Sequence, residues 1–140
     1  MFTNGDHEAS GHKDAELAEH AENLYRERQQ RMRFFPSNIF SDPAWDILLD
    51  LFINGARNRP ISITSACIAG GIPGTTGLRW LGVLEKEGLL VRETSGDDAR
   101  VTWVRLSPHG MNAMRAFIAD ASGSGNAGAR KRNVASSIFE

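Results

Sequence analysis

A second cysteine, a long apolar run and an excess of basic residues are all missing from this chain of 140 residues. The single cysteine, Cys67, cannot form an intrachain disulfide or supply a structural zinc site alone, which is typical of a reducing compartment. The sequence also lacks the run of about 18 apolar residues that a membrane-spanning helix needs, and its first residues are polar, unlike a signal peptide. We therefore expect a cytoplasmic protein that makes no membrane contact.

The two kinds of charge are nearly balanced along the chain. In total, 16 Lys and Arg residues oppose 17 Asp and Glu residues, which leaves a net charge of −1. Residues 1–41 carry 5 basic and 7 acidic side chains, residues 42–120 carry 8 and 9, and residues 121–140 carry 3 and 1. Nucleic-acid-binding proteins often have a basic excess. DNA binding by this chain would therefore depend on a local stripe of arginines and on dimerisation, which doubles the number of DNA contacts.

The N-terminal third predicts a tail followed by one helix. Residues 1–13 show no apolar periodicity and are expected to form a disordered tail. From Asp14 to about Arg33, apolar side chains recur at helical spacing and predict an amphipathic helix. Phe34-Phe35-Pro36 ends this helix, because the residue before a proline is pushed out of the helical region, and the two phenylalanines are expected to be buried.

Three shorter helices are predicted next. A capping side chain before proline, Ser41-Asp42-Pro43, opens the first, and Asn54-Gly55 closes it. A short extended piece and a brief helix then lead to the turn at Gly70-Gly71. The third helix runs from Thr75 to Glu87, with Leu78, Leu81 and Leu84 expected to face inward.

The remaining pattern predicts a β-hairpin and a last helix. Leu89 to Thr94 and Val101 to Leu106 alternate as strands do, around a turn at Gly96–Ala99. Ser107-Pro108 begins the last helix, which runs to about Asp120. Residues 121–140 then form a flexible basic tail. The fold class is mainly α with a small β-hairpin wing (α+β), a winged helix-turn-helix over residues 42–120 with an extra N-terminal helix in residues 14–41.

The helix from Thr75 is the candidate recognition helix, because the second helix of a helix-turn-helix enters the major groove. An arginine can pair with guanine, and threonines can bond phosphates or touch a thymine methyl group. The alternative is a surface helix with a solvated arginine. Candidate DNA-binding residues on this helix and on the wing are Thr75, Thr76, Arg79, Lys86, Arg92, Arg100 and Arg105. Asp97 and Asp98 are expected to hold Arg100 at the wing tip.

Residues Thr75 to Arg92 resemble the recognition helix and first wing strand of the MarR family. Asp98-Ala99-Arg100, Val104-Arg105-Leu106 and Ser107-Pro108-His109-Gly110 resemble that family's wing and the start of its next helix. The resemblance implies a dimeric transcription factor with one recognition helix per subunit in the major groove and a wing arginine in or near the minor groove. The sequence departs from the family at Ala99, where the family often has an arginine. Its last predicted helix also ends near Asp120, and for this second reason the family's small-molecule sensing is not carried over.

A dimer interface is expected on the first and last helices, because the apolar stripe of the first helix needs a partner. The rival interpretation is packing of that stripe against its own domain. Candidate interface residues are Leu17, Ala21, Leu24, Tyr25, Met114 and Phe117.

The sequence therefore predicts a homodimeric transcriptional regulator that binds duplex DNA. The alternative is a winged-helix module that docks a partner protein, which the near-neutral charge favours; an effector-gated sensor with an aromatic pocket is a third possibility. No nucleophile motif or paired-carboxylate signature suggests an enzyme. No cofactor or metal site is expected, and any small-molecule effector is unknown.

Overall fold

Five helices and three short strands make up the residues that the computed structural model describes, 4–35, 38–94 and 100–123. In chain order they are α1 (Asn4–Phe34), a 3₁₀ turn (Asn38–Phe40), α2 (Pro43–Ala56), β1 (Ile61–Ser62), α3 (Ile63–Ala69), α4 (Gly74–Lys86), β2 (Leu90–Thr94), β3 (Thr102–Leu106) and α5 (Pro108–Ala121). This order confirms the predicted mainly α fold with a small wing.

Local capping signals fix where the helices begin. The Asp42 carboxylate accepts a hydrogen bond of 3.4 Å from the backbone nitrogen of Trp45, with Pro43 in the first turn of α2. At the start of α5, the Ser107 hydroxyl accepts one of 3.0 Å from the nitrogen of Gly110. Each side chain satisfies a backbone donor that has no partner within the helix. The predicted starts of both helices are therefore confirmed.

The strands form one antiparallel sheet in the order β1-β3-β2. Leu90 pairs with Leu106 in the wing hairpin, and Ile61 pairs with Val104 on the other side of β3. The short extended piece near Ile61 is therefore a third strand. The predicted turn at Gly96–Ala99 lies outside the described residues.

One apolar core joins α1 to the winged helix. Its side chains come from α1, α2, α3, α4, α5, β2 and β3. The largest fully buried members are Phe52, Ile47, Leu49, Leu51, Leu81, Leu90 and Ile118. The segment from Asp14 onward thus packs as part of this core.

Helix α1 is longer than predicted. It begins at Asn4 rather than at Asp14, so the expectation of a disordered tail is wrong for residues 4–13, while residues 1–3 lie outside the described part. Once a helix is nucleated by packing, extending it costs little per residue. Although it has 31 residues, neither it nor any other described helix is long and apolar enough to cross a membrane.

The phenylalanines at the end of α1 are exposed, so the prediction that they are buried is wrong. Phe34 is 70% exposed and Phe35 is 53% exposed. Phe35 packs edge to face on Phe40 with ring centroids 5.4 Å apart, instead of entering the core. The end of α1 therefore presents aromatic surface to solvent.

Polar contacts hold α1 against the rest of the chain. The Tyr25 hydroxyl donates a hydrogen bond of 2.8 Å to the carbonyl oxygen of Ala69, at the end of α3. Three ion pairs also hold α1 in place. Arg28 pairs with Asp46 of α2 at 2.5 Å, Glu22 pairs at 2.6 Å with Arg57, which caps the C-terminus of α2, and Asp14 pairs with Arg115 of α5 at 2.8 Å. These contacts fix the long helix relative to the helix-turn-helix.

Candidate nucleic-acid interface

Helices α3 and α4 form a tightly packed helix-turn-helix. The turn contains Gly71, whose φ of 67° is in the left-handed region that favours glycine. A Cβ at Gly77 would lie 2.5 Å from the Cys67 sulfur, so only glycine permits this approach of α4 to α3. Burial raises the pKa of the Cys67 thiol, against a smaller opposite effect of the Arg92 charge, and the thiol acts as a packing group.

The inward face of α4 is formed by Gly77, Leu81 and Leu84, which are buried. The prediction that Leu78 also faces inward is wrong, because that side chain is 45% exposed. The close packing at Gly77 sets the rotation of α4, and Leu78 lies about 100° further round the helix. Sequence periodicity alone could not distinguish these two phases, since glycine has no apolar side chain to mark the inner face.

The outward face of α4 carries the predicted DNA-binding residues. Thr75, Thr76, Arg79 and Lys86 are all exposed. Neither Arg79 nor Lys86 has an ion-pair partner within the described residues. No carboxylate occurs in α4 before Glu85. The first turns of α4 therefore offer an uncompensated guanidinium beside two hydroxyl groups.

Arg92 and Arg105, the two arginines on the wing strands, both pair with carboxylates of their own chain. Arg92 faces α4, where its Nε lies 3.3 Å from a Glu85 oxygen, in an orientation that makes no hydrogen bond within the described residues. Arg105 lies on the other face of the hairpin and donates hydrogen bonds of 2.9 and 2.6 Å to Glu93. Both predicted phosphate contacts would therefore compete with an internal carboxylate.

Arg100 is exposed at the point where the described chain resumes after residue 94. Asp97 and Asp98, which were expected to hold it, lie outside the described residues. The wing-tip arrangement stays a prediction.

Most of the predicted dimer residues belong to the core of their own subunit. Leu17, Ala21 and Met114 are 6%, 0% and 4% exposed, and Leu24 and Tyr25 pack against the same core. The rival interpretation, packing against the chain's own domain, therefore accounts for these five. The apolar stripe of α1 is already covered, and these residues offer a second subunit little surface.

Phe117 on α5 differs from the other predicted dimer residues, since it is 52% exposed. Its ring packs edge to face on Trp45, with centroids 4.9 Å apart. Sequence reasoning did not single out the other exposed apolar side chains near the start of α2, Ile39 and Phe40, which are 75% and 38% exposed. The only signal in the sequence was that these two residues are both apolar and lie just before the start of a predicted helix.

An open groove of about 430 Å³ lies beside the wing. It is lined by Pro60 and Ile61 on one side and by β2 and β3 on the other, with Trp103 as its one aromatic side chain. Of the other tryptophans, Trp45 and Trp80 pack against the core. This groove thus presents one aromatic ring to a ligand, and the aromatic-lined effector pocket considered from the sequence stays a prediction.

Helices α3 and α4 followed by the β2-β3 hairpin define a winged helix-turn-helix. No protein-family model matches the chain, and no curated protein matches its sequence. Solved structures do match. MepR from S. aureus in its DNA-binding conformation gives a TM-score of 0.51 at 17% identity, over 84% of this chain and 88% of that chain.

A second MepR structure, the MepR–DNA complex, gives a TM-score of 0.52 at 18% identity over 84% of this chain and 91% of that one. SPO1453, a MarR family transcriptional regulator from Silicibacter pomeroyi, is 23% identical over 77% of this chain and 71% of that chain, with a TM-score of 0.46. The two MepR comparisons establish the fold as a MarR-like winged helix. The resemblance found in the sequence is thereby confirmed at the level of fold.

Proposed function

We propose that the protein binds duplex DNA as a homodimer and regulates transcription. Helix α4 lies in the major groove, and the wing contacts the backbone or the minor groove through Arg100. The observation that carries the proposal is the exposed face of α4, where Thr75, Thr76 and Arg79 reach solvent with no carboxylate before Glu85. The presence of the same fold in the MepR–DNA complex supports it.

Local charge, rather than net charge, supports DNA binding at α4. The helix N-terminus carries a partial positive charge that favours phosphate groups. Arg79 adds a full charge within the first two turns, and its planar guanidinium can pair with both acceptors of a guanine. The acidic residues near this surface, Glu85 and Glu87, come only at the end of the helix.

Selection from a random duplex pool at low and moderate salt tests the proposal. A dimer is expected to enrich a palindrome with half-sites about one helical turn apart. Affinity for the selected duplex should fall steeply as the salt concentration rises. Each phosphate contact contributes about −0.9 to the slope of the logarithm of the binding constant against the logarithm of the salt concentration. Failure to enrich any sequence under either condition would reject DNA recognition by this chain.

The Arg79→Ala variant is expected to lose discrimination at one base pair of each half-site. A bidentate contact with guanine accounts for about 1–3 kcal/mol of discrimination, so the preference at that position should fall by about 5- to 150-fold. Fluorescence anisotropy with the selected duplex and its single-base variants measures this. Arg26→Ala is the matched control, because Arg26 is an exposed arginine on α1, and it should leave every base preference unchanged.

The Phe117→Ser variant is expected to weaken the dimer without unfolding the subunit. Phe117 is the exposed aromatic residue on the last helix, and truncating a central aromatic residue of an interface often costs 2 kcal/mol or more, about thirtyfold in affinity. Analytical ultracentrifugation over a concentration series measures the change. Val83→Ser, which alters a 43% exposed residue on α4, should leave the dimer intact. A wild-type protein that remains monomeric throughout would contradict the homodimer.

A protein-interaction module is the second candidate, favoured by the net charge of −1. In that case the winged helix docks a partner protein through apolar contact. Binding to duplex DNA would then be weak and equal for all sequences, and partner binding would change little with salt, because apolar contacts are not screened.

A further inference from the structure

Leu78 is an apolar side chain on a face of α4 that is otherwise polar. It is 45% exposed, although Gly77 beside it and Leu81 one turn later are buried. A single exposed leucine is ordinary, but Leu78 has apolar neighbours. With Ile68, which is 72% exposed, and Ile72, it lines an open cleft of about 260 Å³ between α3 and α4.

The cleft has no charged lining. Its walls are formed by Ile63, Thr64, Cys67, Ile68, Ile72, Gly74 and Leu78. All of these side chains but that of Thr64 are apolar or absent. The cleft is therefore suited to contact with an apolar group.

Leu78 lies next to the residues proposed to read bases. Thr75 precedes it by three positions and is its neighbour on the helix surface, and Arg79 follows it directly. The three side chains occupy the first two turns of α4, which are the turns that reach base edges when such a helix docks. A leucine placed there contacts whatever apolar group the groove presents.

The thymine C5-methyl is the apolar group on the base edges of the major groove. We infer that Leu78 reads a thymine methyl group, next to the guanine that pairs with Arg79. This inference rests on the proposed DNA-binding function and makes Leu78 a specificity-determining residue. Each half-site then contains at least one thymine that is recognised by its methyl group rather than by a hydrogen bond.

Replacing thymine with deoxyuridine tests the inference, since uracil pairs with adenine in the same way but lacks the methyl group. Each thymine of one half-site of the selected duplex is replaced in turn, and affinity is measured by fluorescence anisotropy. Losing the burial of one methyl group corresponds to about fourfold in affinity. For the wild-type protein, one or two positions should therefore show a fourfold preference for thymine over deoxyuridine.

Leu78→Ala should abolish this preference, so that the thymine and deoxyuridine duplexes bind equally at that position. Val83→Ala is the matched control, because Val83 is an apolar residue of α4 with a similar exposure, 43%. It should keep the fourfold preference at the Leu78 position. Both sites are exposed, so thermal melting should show that both variants fold.

The outcomes separate the inference from the function on which it rests. If the wild-type protein selects a duplex but every deoxyuridine duplex binds as well as its thymine parent, methyl reading is overturned and DNA recognition stands. If the preference persists in Leu78→Ala, another residue reads the methyl group and the inference is likewise overturned. If no duplex is selected at all, the proposed function fails, and the assignment of Leu78 fails with it.

Discussion

Replacing Gly110 with alanine is expected to lower the free energy of unfolding by about 3 kcal/mol, the upper end of the usual range for overpacking. A Cβ at this position would lie 2.1 Å from the carbonyl oxygen of Leu89 and 3.0 Å from its carbonyl carbon. Both atoms belong to the backbone, so relief requires moving β2 or the first turn of α5. Such a shift would also disturb the Ser107 hydroxyl, which donates a hydrogen bond of 2.5 Å to the carbonyl oxygen of Gly88.

Thermal and urea unfolding measure this loss, and the melting temperature should fall by about 10 °C for a chain of this size. Gly74→Ala is the matched control, since a Cβ at Gly74 would meet nothing within 4 Å. It should change stability by less than about 0.5 kcal/mol. If Gly110→Ala melts within a degree or two of the wild type, α5 and β2 are not packed as closely as the structure places them.

The junction around Gly110 also joins the elements of the proposed DNA-binding surface. Gly88 follows the end of α4, β2 begins at Leu90, and Ser107 caps α5, so α4, the wing and the last helix meet there. The sequence predicted each of these ends separately: the end of the third helix at Glu87, a strand from Leu89 and a helix start at Ser107-Pro108. Their contact with one another depends on tertiary packing and had no signal in the sequence.

The phase of α4 shows where sequence reasoning failed. Apolar spacing correctly placed Leu81 and Leu84 inside, but it also placed Leu78 there. The deciding contact is that of Gly77 with Cys67, two residues on different helices. Because glycine has no apolar side chain, the spacing of apolar residues does not mark Gly77 as buried. It predicted instead that the neighbouring Leu78 faces inward. The candidate site gained an exposed apolar residue as a result.

The predicted dimer stripe illustrates a second limit. Periodicity correctly indicated that Leu17 and Ala21 are covered, but a stripe does not show whether its own domain or a second copy covers it. Contacts between distant residues decided the matter. Asp14 and Arg115, which pair at 2.8 Å, are 101 residues apart in sequence, and nothing local to either residue predicts that they meet.

Removing the carboxylate of Asp46 is expected to destabilise the protein by about 3 kcal/mol, because it leaves a mostly buried guanidinium without its partner. Arg28 on α1 donates to Asp46 on α2 at 2.5 and 3.4 Å, and the two side chains are only 16% and 10% exposed. The hydrogen bond to Asp46 is the main cause that raises the pKa of Arg28. Arg28 stays charged even in the Asp46→Ala variant, because a guanidinium is not deprotonated in proteins.

Urea unfolding of Asp46→Ala measures the loss, and Glu93→Ala is the matched control. Arg105 pairs with Glu93 at a similar distance, 2.6 Å, but both side chains are more than half exposed, so that variant should lose about 1 kcal/mol or less. Equal losses in the two variants would contradict the burial of the Arg28–Asp46 pair.

The double variant Arg28→Met/Asp46→Ala separates two causes of this loss. Replacing both members of a buried pair with apolar groups is often nearly neutral, because no unpaired charge remains. We therefore expect the double variant to recover at least half of the stability that Asp46→Ala loses. A loss as large as in the single variant would mean that attraction between the two groups, rather than the stranded charge, holds α1 against α2.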